Sequence, residues 1–313
     1  MNRRTFVLAT VAGVGAARLP ARAQARTSLN IATVASDPLA LPLYAQQLGY
    51  FAKAGLDVTI NHTMNGAAVT AAVAAGAVDI GGSNLSTLVV AFKKGVPITV
   101  VAPAGIYNSA SPVMGIVVPK SSAIATAKDL EGKTIAVSPL RSISEFAPSE
   151  WMDKNGGDSS KVKYVELPFG EMEAAMLQGR VAAVVFTEPY ISESKATSRL
   201  LAFPYSAIAP TFLTSGFFAS TAYVRAHHDT VDRFASVIRQ TAAWANKNQR
   251  QSGEILAAMA KLDASIVAKM SRVVYADRLT AAMVQPNIDL LAKFKVIERF
   301  DAKEMIYTGE AST

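Results

Sequence analysis

Residues 49–82, GYFAKAGLDVTINHTMNGAAVTAAVAAGAVDIGG, decide the fold because they carry the signals of several consecutive elements. The pattern predicts a helix end, a strand over 56–61, a turn, an alanine-rich helix over 67–75 and a buried strand. A weaker copy, EMEAAMLQGRVAAVVF, occupies residues 171–186, and aligning Gly76 with Gly179 superposes the two helix–turn–strand patterns. The sequence therefore predicts two α/β units built on one plan.

The rest of the chain extends this plan. Strands alternate with helices over 28–102 and again over 134–187, which predicts mainly parallel sheets flanked by helices. A strand is predicted over 216–224, followed only by helices and by no third sheet. The predicted C-terminal helices cover residues 229–246, 252–261, 263–271, 278–294 and 302–307.

A strand followed by packing helices indicates that the chain returns to complete its first lobe. We therefore expect lobe 1 over 26–118 and 215–313, and lobe 2 over 119–214. Two crossings, near 116–122 and 212–219, would form a hinge between the lobes.

The N-terminus has the features of an export signal. Arg3 and Arg4 precede the apolar run FVLATVAGVGAA, and small residues allow cleavage after Ala23 or Ala25. The run is shorter than the roughly 20 residues that a membrane helix needs. The arginine pair followed by Phe6 resembles a twin-arginine signal, although the general secretory route stays open. Removing residues 1–23, which contain four arginines, lowers the formal net charge from +7 to +3.

Composition excludes several function classes. Half the residues are apolar, as in a globular protein, and the chain has no cysteine, which excludes disulfides, thiolate metal sites and a cysteine nucleophile. The mature chain lacks a basic run with interleaved aromatics, so nucleic-acid binding is not expected. The three histidines show no metal-ligand spacing and lie in none of the predicted cleft loops. We therefore predict no metal, no cofactor and no enzymatic activity.

Ligands of open α/β sheets bind beyond the carboxyl ends of the strands. Several of these ends precede helices, whose N-termini favour anions or polar head groups. The predicted ligand-binding residues in or beside these loops are Ser36, Pro42, Tyr44, Asn65, Gly66, Ala67, Ser83, Asn84, Ser138, Arg141, Ser142, Glu188 and Tyr190.

Each candidate has an alternative role. Asn65 and Asn84 fit turns or helix caps equally well, and Ser142 with Glu145 has the spacing of a capping box. Arg141 suits a bidentate contact with a carboxylate or sulfonate, but it could also be solvated or pair with Glu188. Glu188 could accept from a ligand amine or cap the helix after it. Tyr44, Tyr107, Phe169 and Tyr190 could line an aromatic pocket or pack in the core.

Short motifs recur in one order along the chain. They are PLY at 42–44, GYF at 49–51, GLDV at 55–58, GAVDIG at 76–81, GVP at 95–97, DLEGKTIAV at 129–137 and EPY at 188–190. With these motifs, the chain from about 29 to 223 resembles periplasmic solute-binding proteins of ABC importers. The branch it resembles binds nitrate, taurine and alkanesulfonates, and it includes binders of pyrimidine thiamine precursors. Related pyrimidine-synthesising enzymes carry a cysteine-rich motif that this chain lacks.

The resemblance implies a two-lobed, type II periplasmic-binding-protein-like fold that closes on a solute about its hinge. A monomeric periplasmic protein would deliver the solute to a membrane permease served by a separate ATPase subunit, with no other membrane contact. We expect a small organic anion such as a sulfonate, carboxylate or nitrate-like ion. A neutral or cationic heterocycle such as a pyrimidine is the alternative ligand, and an exported hydrolase or isomerase is the alternative class.

Overall fold

The computed structural model describes residues 26–34, 36–63, 66–260 and 262–309. The predicted export signal, with its cleavage sites after Ala23 and Ala25, and the candidate residue Asn65 lie outside the described residues. No helix in the described ranges is long and apolar enough to cross a membrane.

The strands, in chain order, are β1 (Thr27–Val34), β2 (Leu56–Thr63), β3 (Ile80–Asn84), β4 (Ile98–Pro103), β5 (Gly105–Asn108), β6 (Met114–Pro119), β7 (Thr134–Val137), β8 (Lys163–Glu166), β9 (Ala183–Thr187), β10 (Ser198–Ala202), β11 (Thr211–Leu213), β12 (Ser215–Ser220) and β13 (Val274–Tyr275). The helices are α1 (Leu41–Gln47), α2 (Tyr50–Lys53), α3 (Gly66–Ala74), α4 (Leu85–Lys93), α5 (Ile143–Lys154), α6 (Phe169–Leu177), α7 (Tyr190–Glu193), α8 (Thr221–Ala226), α9 (His228–Lys247), α10 (Gln249–Ala260), α11 (Ala264–Val267) and α12 (Ala281–Lys293).

Two five-stranded sheets have the same strand order. The first reads β2-β1-β3-β12-β4, and the second, from its β8 edge, reads β8-β7-β9-β6-β10. In each sheet one strand, β12 or β6, is antiparallel to both of its neighbours, and the neighbouring pairs on the far side are parallel. Four strands of each sheet therefore run in one direction, as expected for mainly parallel sheets, and the fifth runs opposite to them.

The repeat predicted from sequence is present. Helix α3 is followed by Gly76 and β3, and α6 is followed by Gly179 and β9. Both glycines have left-handed backbones, with φ of 70° and 73°. Such a residue ends a helix by turning the chain back toward the sheet, and glycine adopts this conformation without steric cost. This shared helix end explains why a faint sequence echo marks equivalent positions in the two sheets.

A small third sheet corrects the prediction that none exists. Its order is β11-β5-β13, with antiparallel pairing throughout. Strand β5 comes after β4 of the first sheet and before β6 of the second sheet. On the return, β11 comes directly before β12 of the first sheet. The third sheet thus lies beside both crossings, which run through residues 109–113 and 203–210. Strand β6 belongs to the second sheet, not to a connection between lobes.

The C-terminal region is less helical than expected. Helices α9, α10 and α12 match predictions, but the segment predicted as a helix over 263–271 contains only the short α11, and 302–307 contains one 3-10 turn, Ala302–Glu304. Residues 271–275 include Val273, Val274 and Tyr275, types that favour extended backbone, and they lead into β13. Helix α12 packs against α4 of lobe 1 and also reaches α5 of lobe 2, where Phe294 just beyond the end of α12 stacks on Phe146 at 5.0 Å between ring centroids.

Candidate functional site

A cavity of about 260 Å³ lies between the two lobes, at the carboxyl ends of their strands. It is contacted by the residues that follow β1, β7 and β9 and by the last residue of β3. The two sheets have the same strand order, and the carboxyl ends of their equivalent strands face this space. Both lobes therefore supply walls to one site.

The lobe 1 wall is formed by loops and the return connection. Its residues are Ser36, Asp37, Pro38, Leu39, Asn84, Thr214, Ser215, Ser271 and Val273. The lobe 2 wall and the crossings complete the enclosure. Their residues are Val113, Met114, Ser138, Pro139, Ser142, Ile143, Ser144, Phe169, Thr187, Glu188 and Tyr205. Among these described lining residues none is lysine, arginine or histidine, and the two acids are Asp37 and Glu188.

The charge of Asp37 is neutralised within lobe 1. Its carboxylate accepts Arg272 Nη2 at 2.7 Å on Oδ1 and Arg272 Nε at 2.8 Å on Oδ2, a bidentate pair. The Val273 amide donates to Oδ2 at 3.1 Å, and the Tyr275 hydroxyl donates to Asp37. Both carboxylate oxygens are thus occupied by the protein, which leaves this acid little capacity for a ligand.

Glu188 is different, since no salt bridge reaches it within the described residues. Its carboxylate accepts the amide and the hydroxyl of Ser192, each at 3.1 Å, so Glu188 satisfies a free amide in the first turn of α7, although Pro189 and not Glu188 holds the N-cap position. It also accepts the Ser271 amide of lobe 1 at 3.2 Å. The Arg141 pairing left open by the sequence is replaced by these serine contacts. Glu188 therefore brings an anionic group without a cationic partner to the cavity.

The start of α5 supplies two hydroxyl groups. Ser142 caps the helix by accepting the Ser144 amide at 3.1 Å, while its own hydroxyl donates to the Pro139 carbonyl at 2.7 Å. Ser144 donates to the Ser138 carbonyl at 3.0 Å. The predicted reciprocal capping box does not form, because Glu145 accepts the Arg141 amide instead of the Ser142 amide. The helix N-terminus and these serines together form a polar wall.

Aromatic rings form part of the enclosure. Phe169 lines the cavity and stacks on Tyr190 with ring centroids 5.0 Å apart, so Tyr190 supports that ring from outside the lining. Tyr205 also lines the cavity and packs edge-on against Tyr107 and Phe212. Burial raises the pKa of the Tyr205 phenol, which keeps it neutral. Tyr107 is a core residue, one of the two roles that the sequence allowed.

Several predicted residues lie away from the cavity in the core. Pro42 and Tyr44 are buried in α1. The Tyr44 hydroxyl accepts from Arg272 at 3.0 Å, and burial, reinforced by the charge of Asp37, raises its pKa. Ser83 is fully buried in β3, directly against Gly66 at the start of α3. These positions precede or follow the cavity loops, but regular structure turns their side chains into the lobe interior.

Arg141 and Ala67 contact a separate groove of about 420 Å³, between α3, α4 and the loop after β7. Arg141 has a left-handed backbone, with φ of 55°, and an exposed side chain. The predicted cationic contact is thus absent from the described cavity lining. Of the predicted residues, the cavity brings together Ser36, Asn84, Ser138, Ser142 and Glu188.

Six polar residues that the sequence did not predict line the cavity: Asp37, Ser144, Thr187, Thr214, Ser215 and Ser271. Asp37 and Thr187 lie in predicted strand-end loops, directly beside the predicted residues Ser36 and Glu188. Ser271 and its neighbours had no such signal, because their role comes from residues far away in the chain. The described residues contain no group of three or more histidine or acidic side chains that could hold a metal ion.

Comparison with known families identifies the class. The NMT1/THI5-like family model matches residues 39–252, more than half of the chain, and the chain belongs to this family. Comparison with curated protein sequences gives no match.

Solved structures share the fold across nearly the whole chain. The periplasmic aliphatic sulphonate-binding protein SsuA from Escherichia coli is 18% identical with a TM-score of 0.75, covering 90% of this chain and 92% of that one. The alkanesulfonate-binding protein SsuA from Xanthomonas axonopodis pv. citri, bound to MOPS, is 20% identical with a TM-score of 0.71, covering 90% and 98%. The nitrate-binding protein NrtA from Synechocystis PCC 6803 is 13% identical with a TM-score of 0.64, covering 77% and 69%.

These neighbours confirm the predicted two-lobed, periplasmic-binding-protein-like α/β fold. Their low identity shows the fold and leaves the ligand to be argued from the cavity.

Proposed function

We propose that this protein is the extracytoplasmic solute-binding component of an ABC importer. The observation that carries the proposal is an interlobe cavity, walled by the strand ends of two sheets with the same topology. On this proposal the chain is exported, by the twin-arginine or the general route, and cleaved near Ala23 or Ala25. It works as a periplasmic monomer that passes its solute to a permease coupled to an ATPase subunit.

Binding would be coupled to closure of the lobes about the two crossings. With β6 assigned to lobe 2 and β11 paired with β5, the proposed division is lobe 1 over 26–113 and 211–313, and lobe 2 over 114–210. A ligand that touches Asn84 in lobe 1 and Ser142 in lobe 2 binds the closed form more tightly than the open one. That difference in affinity is what would shift the population toward closure.

The lining favours the second ligand class over the first. A neutral or cationic heterocycle with a hydrogen-bond donor would bind Glu188, stack near Phe169 and use the serine hydroxyls. An organic anion would have to rely on hydroxyls and helix N-termini, facing the unpaired Glu188 carboxylate. The volume lies just below the roughly 300–1,000 Å³ range of drug-sized pockets, which suits a small heterocycle such as a pyrimidine.

The test is a thermal-shift screen of residues 26–313, followed by calorimetry, against aminopyrimidines, taurine, alkanesulfonates, aliphatic carboxylates and nitrate. We expect an aminopyrimidine to bind. Glu188→Gln should weaken it about 10- to 150-fold, the equivalent of a hydrogen bond to a charged group at about 1.5–3 kcal/mol. Arg141→Ala, at the same cleft but outside the cavity, is the matched control and should leave affinity unchanged.

Other outcomes point elsewhere. Binding of a sulfonate that is lost in Arg141→Ala would restore the organic-anion assignment. Conversion of a bound compound to a new product, detected by mass spectrometry, would contradict the non-enzymatic role and favour the hydrolase or isomerase class.

A further inference from the structure

Three consecutive residues, Ser271, Arg272 and Val273, connect the two acidic groups of the cavity; we call them the strap. Ser271 and Val273 line the cavity directly, and Arg272 between them points into lobe 1. The strap follows α11 and precedes β13. It is therefore part of the return segment that completes lobe 1, far in sequence from both acids.

Arg272 anchors the strap to the first cavity loop. Its guanidinium forms the bidentate pair with Asp37, donates to the Gln249 carbonyl at 3.1 Å, and donates to the Tyr44 hydroxyl. The Arg272 and Asp37 side chains are only 8% and 9% exposed. Burial lowers the pKa of Arg272, but its hydrogen bond with Asp37 and the Asp37 charge outweigh this effect and raise it. The Arg272 guanidinium therefore stays charged and anchors the strap to the Asp37 loop.

The strap reaches the opposite lobe through its first residue. The Ser271 amide donates to Glu188 Oε1 at 3.2 Å, across the cleft. The carbonyl of Arg272 accepts the Ser111 hydroxyl at 2.9 Å, which ties the strap to the first crossing. The side chain and the carbonyl of Arg272 therefore hold the backbone whose neighbouring amide meets Glu188.

We propose that Arg272 is a positioning residue of the ligand site, which holds the Ser271 amide on Glu188 and so orients the unpaired carboxylate of the cavity. It does so without touching the ligand. This deepens the proposed function, on which it rests only for Glu188 being a ligand contact. Asp37 is correspondingly the anchor of the strap and not a ligand-binding acid.

A purely structural ion pair would behave differently. Losing it would destabilise lobe 1 as a whole, without a specific effect on the Ser271 amide or on its acceptor Glu188 in the opposite lobe. Arg233 is the matched control. It is also hydrogen-bonded within lobe 1, donating to the Ala54 and Gly55 carbonyls and to Thr27, but it makes none of the strap contacts.

The experiment follows the Ser271 amide by NMR in ligand-free residues 26–313 labelled with ¹⁵N-serine. The signal is assigned by its disappearance from the serine spectrum in Ser271→Ala, which keeps the amide. Its shift and its hydrogen-exchange rate are then compared in wild type, Glu188→Ala, Arg272→Met, Arg272→Lys and Arg233→Met. All variants are studied well below their unfolding temperatures.

We expect the Ser271 signal to shift in Glu188→Ala and Arg272→Met and its exchange to accelerate about tenfold or more, the factor for losing one hydrogen bond to a charged acceptor. Arg272→Lys should restore part of the protection, and Arg233→Met should change nothing at Ser271. An unchanged signal in Arg272→Met, or an equal change in Arg233→Met, would overturn the proposal. Should Arg272→Met fail to fold, an unchanged Ser271 signal in Arg272→Lys or Glu188→Ala would overturn it, and a shift in both would support it. Because no ligand is present, a failure here is distinguishable from a failure of the solute-binding role.

Discussion

The buried pair of Asp37 and Arg272 permits a prediction with a worked magnitude. Removing one partner of a buried ion pair costs about 3–5 kcal/mol, because the other charge is left without compensation. In Arg272→Met the Asp37 carboxylate keeps two donors, the Val273 amide and the Tyr275 hydroxyl. In Asp37→Asn the guanidinium keeps the Gln249 carbonyl and the Tyr44 hydroxyl as acceptors. We therefore expect each single variant to fall near the lower limit, about 3 kcal/mol.

The double variant Asp37→Asn/Arg272→Met removes both charges at once. Nothing charged is then left buried at this position, and buried pairs replaced by residues without charge are often close to neutral in stability. We expect the double variant to be about 1 kcal/mol less stable than wild type. It should therefore be more stable than either single variant. Such strong non-additivity is the signature of two groups that depend on each other.

The assay is urea unfolding followed by tryptophan fluorescence. Trp244 lies 6.1 Å from Tyr44 between ring centroids, so it reports on the surroundings of Arg272 in lobe 1. Trp151 belongs to α5 in lobe 2, and a Trp151→Phe background leaves Trp244 as the only tryptophan, since the chain has two. Thermal unfolding should show the single variants roughly 6–10 °C below wild type. Additive losses, with the double variant least stable, would refute the reasoning.

Three further predictions concern helix ends, packing and pH. Gly179→Ala, just beyond the end of α6, should destabilise the protein by about 1–2 kcal/mol because φ is positive there. Gly170→Ala inside α6, with open space around it, should be neutral or stabilising by up to about 1 kcal/mol; equal effects in urea unfolding would contradict this. Gly66→Ala places a Cβ against the Ser83 hydroxyl, closer than real contacts allow, so it should cost about 1–3 kcal/mol. Adding Ser83→Ala should recover most of that loss; a double variant no more stable than Gly66→Ala would count against the clash. Burial raises the pKa of Tyr223 from 10.0 to about 12. The folded state therefore retains a proton that the unfolded state releases, and the free energy of unfolding should fall as the pH rises from about 10 to 12. Tyr223→Phe should show a shallower fall in urea titrations over that interval, and an identical slope would contradict the assignment.

The fold was largely predictable because its signals are local. Glycines at helix ends, alternation of strands and the echo of residues 49–82 at 171–186 each depend on a few neighbouring residues. The position of the cavity followed from the rule that ligands bind beyond parallel strand ends. The reversed strands and the third sheet were not predictable in the same way, because pairing of β5 with β11 and β13 joins distant segments.

The individual site residues were harder for a related reason. Tyr44 was chosen because it stands after a strand-end loop, but a helix has several faces, and α1 turns this one inward. Arg141 is predicted from its chemistry, but its backbone is left-handed and its side chain contacts the separate groove between α3, α4 and the loop after β7. In both cases the sequence identified the correct loop, while side-chain direction was decided by backbone geometry that no single residue type specifies.

The charge of the cavity shows most clearly why the ligand class could not be predicted from the sequence. The strand-end loops contain one arginine and two acids, a composition from which an anion site is a reasonable prediction. In the structure Arg141 lies outside the lining, and Arg272 neutralises Asp37. Arg272 lies between the helices predicted over 263–271 and 278–294, and nothing in the sequence assigned it a role. What remains is Glu188, held by serines of both lobes. The electrostatic character of the site is thus set by a pairing across 235 residues, and a change at Arg272 alone would alter it without changing any residue of the strand-end loops.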